Sequence, residues 1–404
     1  MRRRTFLGTA VAGALYAQRR QAINVTLPPV IKNLKPMTDG VQPISDAERQ
    51  ARIEKARRLM RENRLGAIVM ESGSSMFYYT GKRANATLIL PAAGEAVWVA
   101  TEEIAGLSGD ARLDRSAEEP YKTVVQAFRD RGAGSGRIGI EERVRFATYD
   151  GLHQAAPALE FVSADPVTVG CRVIKSPAEI ALLQHANNVT IAAYKAALST
   201  LREGMDQREL SAYISAAYSA LGYRGGAMVI FGKYTAFPHG SIQPQTLKEG
   251  DFVLVDDGCT VEGYQSDITR TVIFGKPTAR QRQVWELERK AQDAALAAAQ
   301  VGAACESVDA AARKVITDAG FGPGYKVPGL PHRTGHGIGL DGHEWTYLVK
   351  GNKTRLQPGM CFSDEPTIAI YGEFGVRLED CMHVTENGAR MFTKQSPAID
   401  QPFG

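Results

Sequence analysis

An apolar run, Phe252-Val253-Leu254-Val255, ends on the paired acids Asp256-Asp257, and a second run, Ile268 to Phe274, starts directly after Asp267. Gly258 and Gly263 lie between them. Two β-prone stretches separated by a short glycine-containing segment read as a hairpin. With its turn centred near Val261-Glu262, the pairing sets Asp256 directly across from Asp267. Opposed side chains hold their Cβ atoms only about 4.5–5.5 Å apart, and like charges there repel. A fold that keeps this pair needs a cation between them.

A second hairpin repeats the pattern. Met360 to Glu365 and Gly375 to Asp380 are strand-like, and Ile370-Tyr371-Gly372-Glu373-Phe374 reads as a turn. Centring it on Gly372 brings Glu365 and Glu379 face to face. Between the two hairpins lies Pro331-His332-Arg333-Thr334-Gly335-His336-Gly337-Ile338-Gly339-Leu340-Asp341-Gly342-His343-Glu344, with three of the chain's seven histidines. Its glycines let the backbone approach a bound group closely. His239, in Phe237-Pro238-His239-Gly240, is a fourth histidine of interest. Four converging carboxylates without a cation cost several kcal/mol, so the pattern points to a metal site.

The 404 residues exceed the roughly 250–300 at which a single core stops growing, which predicts two domains. A net charge of +4 with no dense Lys/Arg block in the body argues against a nucleic-acid partner. Five cysteines without a Cys-x-x-Cys pair exclude a disulfide framework and a cysteine zinc site, leaving buried thiols. Met1-Arg2-Arg3-Arg4-Thr5-Phe6-Leu7 and the small apolar run to Ala17 read as an export signal too short to span a bilayer. The Arg3-Arg4-Thr5-Phe6-Leu7 stretch resembles a twin-arginine signal, which places the mature protein in the periplasm or outside the cell. No later segment is long and apolar enough for a membrane span.

The predicted organisation is an export signal over 1–20, a Pro-rich arm or linker over 21–44, a mixed α/β domain over 45–168, a ligand-bearing domain over 169–395 and a tail over 396–404. Ser45/Glu48 and Ser176/Glu179 each have the spacing of a helix capping box, and Pro177 suits the first helical position.

Asp256 with Asp267, Thr-Gly-His336-Gly-Ile-Gly, His343, Glu365-Pro366 after Gly359-Met360, and Val376-Arg377-Leu378-Glu379-Asp380 together resemble the pita-bread metallopeptidases, the superfamily of aminopeptidase P, prolidase, methionine aminopeptidase and creatinase. The resemblance covers about residues 45–390. It implies an α/β (α+β) fold in which a smaller creatinase-type N-terminal domain precedes a catalytic domain with an antiparallel sheet and pseudo-twofold halves. It also implies two divalent metal ions, with manganese first and cobalt, zinc or iron as alternatives. Asp256 would chelate one, His336 and Glu365 the other, and Asp267 and Glu379 would bridge both. Glu365 matches the family's proton shuttle, and His239 and His343 match histidines that contact substrate. Arg377, two residues from Glu379 on the same strand face, is placed to brace the ligand carboxylates.

Creatinase-type members have lost part of this ligand set, whereas all five ligands stand here. The resemblance therefore implies an enzyme that removes the N-terminal residue from peptides with proline second, working as a homodimer or homotetramer. Prolidases hold the substrate's free carboxylate with a basic residue before the Gly-Met strand. Gly351 falls there, with Lys350 and Lys353 nearby, so aminopeptidase action is the first expectation and Xaa-Pro dipeptidase action the alternative. A metal-dependent C–N hydrolase or lyase of a small molecule and a non-catalytic binding protein on the same fold are the other readings.

Overall fold

The computed structural model describes residues 25–103, 109–114 and 121–403. The export signal read over 1–20 lies outside these residues. The described part of the arm is docked on the body of the protein. A one-turn helix α1 (Pro29–Lys32) buries Ile31 completely, and the Met37 N–H donates to the Leu221 carbonyl at 2.9 Å. Val25, Leu27, Leu34 and Met37 pack on the core; the prolines between them obscured this apolar content.

The N-terminal unit comprises α2 (Asp46–Glu62), β1 (Leu65–Met70), α3 (Ser74–Thr80), β2 (Thr87–Pro91), β3 (Val97–Ala100), β4 (Asp110–Leu113), α4 (Lys122–Asp130), β5 (Gly136–Ile140), α5 (Phe146–Ala155) and β6 (Leu159–Ser163). Its strands form one mixed sheet in the order β4-β3-β2-β1-β5-β6. The capping box expected at Ser45 is half formed. Ser45 Oγ accepts from the Glu48 N–H, but the Glu48 carboxylate turns to Arg52 at 2.9 Å and to Ser176 Oγ at 2.7 Å. A charged partner outcompetes the backbone N–H, and the N-terminal helix becomes tied to the next domain.

Helix α6 (Asp165–Arg172) leads through a short connector to α7 (Pro177–Leu198), whose capping box between Ser176 and Glu179 is complete. Then follow α8 (Gln207–Ala220), β7 (Arg224–Gly225), β8 (Met228–Phe231), β9 (Phe252–Asp257), β10 (Cys259–Val261), β11 (Tyr264–Gln265) and β12 (Ile268–Ile273). The second half holds α9 (Ala279–Ala298), α10 (Cys305–Asp318), β13 (Gly335–Gly337), β14 (Glu344–Leu348), β15 (Cys361–Asp364), β16 (Thr367–Ile370), β17 (Phe374–Arg377), β18 (Asp380–Thr385) and β19 (Gly388–Met391). Helices α7 and α8 pack together, as do α9 and α10. Each pair accompanies an antiparallel sheet, β8-β9-β12 in one half and β14-β13-β15-β18-β19 in the other. The five cysteines are free and buried. Among the described residues no helix is long and apolar enough to cross a membrane.

The register of the first hairpin departs from the expectation. Asp256 pairs with Thr269, not Asp267. Glu262 (φ 48°) and Gly263 (φ 89°) form the turn centre between the paired residues Val261 and Tyr264. Two consecutive residues at positive φ match the right-handed twist of the flanking strands. Moving the centre by one residue changes each partner by two, so Asp256 and Asp267 are diagonal neighbours. Strand alternation still leaves them on one face, within the roughly 7–8 Å reach of diagonal pairs. The second hairpin keeps its expected register. Asp364 pairs with Asp380 and Thr367 with Arg377, so Glu365 falls opposite Glu379 between two ladders.

Gly258 sits where the first hairpin is tightest. A Cβ there would lie 2.1 Å from the Ser266 carbonyl oxygen, a backbone atom that cannot yield without spreading the strands. Gly258→Ala is therefore expected to lower stability by about 1–3 kcal/mol, measured as a fall in the urea midpoint. An unchanged midpoint would contradict this packing.

Candidate metal centre

Asp256 is the penultimate residue of β9, and the chain re-enters the sheet at β12 immediately after Asp267. The short strand β13 carries His336 at its middle. Glu365 and Glu379 follow and precede the β15–β18 ladder. The four carboxylates thus lie at strand ends and His336 within a short strand, each next to paired backbone. Three overlapping sets of ligand atoms come within 4.8 Å of one another: Asp256, Asp267 and Glu379; His336, Glu365 and Glu379; and Asp267, His336 and His343. Glu379 belongs to the first two sets and Asp267 to the first and third, so the groups form one continuous centre. They line a cavity of about 740 Å³ with His239, Arg333, His343 and Arg377.

The electrostatics are those of a site that lacks positive charge. Burial raises Asp267 and Glu379 well above the usual carboxylate range, and the neighbouring carboxylates add to it. Glu365 is pushed up to about 7, again mainly by burial. Burial also acts to raise Asp256, but Arg377 and the Thr269 hydroxyl outweigh it and hold that carboxyl below its ordinary value. Glu379 Oε1 is buried without a hydrogen-bond partner among the described residues. An orphaned carboxylate oxygen facing three more carboxylates and an imidazole suits a divalent cation.

His336 is oriented for the same purpose. Its Nδ1 lies 3.1 Å from the Gly337 carbonyl, which can only accept, so Nδ1 carries the hydrogen. Nε2 then presents its lone pair 3.2 Å from Glu365 Oε1 and 3.6 Å from Asp267 Oδ2. Burial, helped by His343, lowers the imidazolium to about 3. The ring is neutral, as a metal ligand must be.

Arg377 forms an ion pair with Asp256. Its Nε donates to Thr269 Oγ1 at 3.1 Å, and Nη1 to the Pro238 carbonyl at 3.0 Å. Thr269 Oγ1 is 2.6 Å from an oxygen of Asp256 and 2.6 Å from one of Glu379. Sequence reasoning missed Thr269; its signal was its place opposite Asp256, visible once the turn is centred correctly. His239 and His343 are exposed to the cavity. The ring of His343 is 3.9 Å from that of His336. Its Nδ1 accepts from Arg333 Nη2 at 3.0 Å, which leaves the hydrogen on Nε2. His332 also lines the cavity, but both its nitrogens are engaged, with the Arg333 carbonyl and the Thr367 hydroxyl.

Asp364, beside Glu365, points away from the centre as strand alternation requires. It is fully buried, and neither oxygen has a hydrogen-bond partner among the described residues. Burial, with the neighbouring Asp380 carboxylate, raises it well above the usual carboxylate range. Its strand partner Asp380 forms an ion pair with Arg270, 2.7 Å away and equally buried.

Comparison with known proteins extends this picture. The sequence pattern of metallopeptidase family M24 matches residues 181–386, and that of the creatinase/prolidase N-terminal domain matches residues 52–174. The chain is similar to the Xaa-Pro dipeptidase of Lactobacillus delbrueckii subsp. lactis, 31% identical over 86% of this chain and 98% of the relative. The crystal structure of dipeptidase PepE from Mycobacterium ulcerans superposes with a TM-score of 0.80 at 31% identity, covering 89% of this chain and 99% of that one. An X-Pro aminopeptidase from Thermotoga maritima has a TM-score of 0.72 over 83% of this chain and 97% of its own, but at 24% identity it shows the shared fold alone.

Removing Asp267, common to two ligand sets, is expected to strip the centre. Asp267→Ala should weaken divalent-metal retention by more than about tenfold, the loss even a supporting residue typically causes. His343→Ala should retain metal. Elemental analysis after dialysis distinguishes the two, and full occupancy in Asp267→Ala would overturn the ligand assignment.

Proposed function

The chain belongs to metallopeptidase family M24, and on that premise we propose that it is a metal-dependent Xaa-Pro dipeptidase. Asp256, Asp267, His336, Glu365 and Glu379 hold two divalent ions, with manganese the first choice for a mixed carboxylate and imidazole set. When bound, such ions supply Lewis acidity that polarises a carbonyl and lowers the pKa of water. The protein's own groups do the rest. His239 and His343 reach the peptide from the cavity wall, and His343 offers Nε2–H to a carbonyl oxygen. Glu365 carries the proton from attacking water to the leaving nitrogen. Arg377 and Thr269 fix Asp256 and Glu379, so the ligands need little rearrangement on binding. Arg2 to Arg4 and the apolar run after them support action beyond the cytoplasm.

The choice of a dipeptide over a longer peptide rests on Arg333. Lys353 is exposed and pairs with Glu306, and neither it nor Lys350 lines the cavity. Arg333 does, with its guanidinium 4.3 Å over the Tyr347 ring, and it forms no ion pair with the described residues. A stacked guanidinium that lines the carboxylate-rich cavity without an ion-pair partner among the described residues is suited to a free substrate carboxylate. The dipeptidase names of the well-covered relatives support the same reading over aminopeptidase action.

With manganese bound, cleavage of Ala-Pro should exceed that of Ala-Pro-Ala by roughly ten- to a hundredfold in kcat/KM, the value of one hydrogen bond to a charged group. Arg333→Gln should erase most of that preference while metal content stays constant. Preferential cleavage of the tripeptide would replace the dipeptidase with an aminopeptidase. Turnover of neither peptide would overturn both readings.

A further inference from the structure

The loop that carries His343 is anchored from outside its own domain. Glu344 Oε1 accepts from the backbone N–H groups of Leu340 (2.8 Å) and Asp341 (3.2 Å), closing the loop on itself. The same carboxylate pairs with Arg172, and its other oxygen takes Lys175 Nζ at 2.9 Å. Arg172 also reaches Asp341 Oδ2 at 2.6 Å. Ser74 Oγ donates to Asp341 Oδ1 at 2.7 Å, and Arg143 lies 3.2 Å from that oxygen. Trp345 Nε1 donates to Glu142 at 2.9 Å. Ser74, Glu142 and Arg143 belong to the N-terminal unit, and Arg172 and Lys175 to the end of α6 and the connector. On the opposite side, Gln265 of β11 donates from its N–H to the Gly339 carbonyl at 2.8 Å and from Nε2 to the Leu340 carbonyl at 2.9 Å.

These contacts leave Gly342 and His343 as the loop residues that face the cavity. Only Arg333 donates to the His343 ring among the described groups, and His336 lies against it. The ring is therefore placed chiefly by its backbone, which the network holds on both flanks. The side chains of Arg172, Lys175 and Glu344 are at most 10% exposed, and a buried network of this kind has one well-defined arrangement.

We propose that Arg172, with Ser74 and Arg143, is a positioning residue for His343, so that the N-terminal unit sets the geometry of the active site. The kinetic form of this proposal rests on the Xaa-Pro dipeptidase reading. A ring misplaced by about 1 Å costs up to roughly a hundredfold in rate, while the metal ligands, anchored on other strands, stay where they are.

The test is a double-mutant cycle with the metal-loaded full chain on Ala-Pro. Arg172→Gln is expected to lower kcat by about tenfold or more with metal content unchanged, and Arg172→Lys to recover part of it. In a His343→Ala background, Arg172→Gln should cause little further loss, because its effect runs through that ring. Losses that multiply in full, or that follow lost metal, overturn the proposal. Arg172 is buried, so its variant can fail to fold. Arg143→Gln removes a side chain that is 52% exposed and carries the same cycle, with an expected loss of about two- to fivefold. Hydrogen exchange needs no substrate: the Leu340 and Asp341 amides should lose protection in Arg143→Gln while those of β9 and β12 keep theirs. Unchanged protection at both amides overturns the proposal, even in a protein that cleaves no Xaa-Pro peptide.

Discussion

Repulsion among carboxylates at the ends of four strands is the constraint around which this protein is built. Asp256, Asp267, Glu365 and Glu379 meet in one cavity wall, and folding brings them there without enough protein cations to neutralise them. Arg377 is committed to Asp256, and Thr269 can give its single hydroxyl hydrogen to only one of the two carboxylate oxygens beside it. The remaining negative potential selects a divalent ion. It also explains why so much of the surrounding structure is rigid: like charges stay close only on a scaffold whose own hydrogen bonds are complete.

The scaffold meets this demand with two hairpins of the same kind. In each, a tight turn sets a register, and the register sets which acids share a face. Arg270 and Asp380, both wholly buried, lock the two hairpins together from behind, since Arg270 also donates to the Glu379 carbonyl at 2.9 Å. Asp364 and Glu288 sit in this layer, both raised well above the usual carboxylate range by burial.

Much of this was legible in the residues. The five proposed ligands stand in short motifs whose alternation and glycines carry physical meaning, and the Gly372-centred register survived unchanged. The first hairpin was misread by one residue, because a two-residue turn at Glu262-Gly263 and one at Val261-Glu262 are nearly indistinguishable without the φ angles. Thr269 followed that error out of view. Arg333 was passed over because a lone arginine in a His-Gly cluster has no periodicity to mark it. The fastening of the His343 loop was beyond reach for another reason. Ser74, Arg143 and Arg172 meet Asp341 only in the folded chain, and no local pattern encodes a contact between residues so far apart. The packing of the arm was hidden likewise, since prolines signal irregular backbone and say nothing of where the apolar residues between them go.

The fastening of residues 340–344 has a temporal side. Arg172 and Glu344 are 172 positions apart, so their contact closes one of the longest loops in the chain, and closure entropy must be overcome before the contact yields any return. On a ribosome the N-terminal sheet, α6 and α7 emerge well before His343 and can fold while it is still being made. The waiting cluster of Ser74, Arg143, Arg172 and Lys175 is then a preformed cationic socket into which the late acidic loop docks. Catalytic competence in such a protein arrives last, with the join between its oldest and youngest segments.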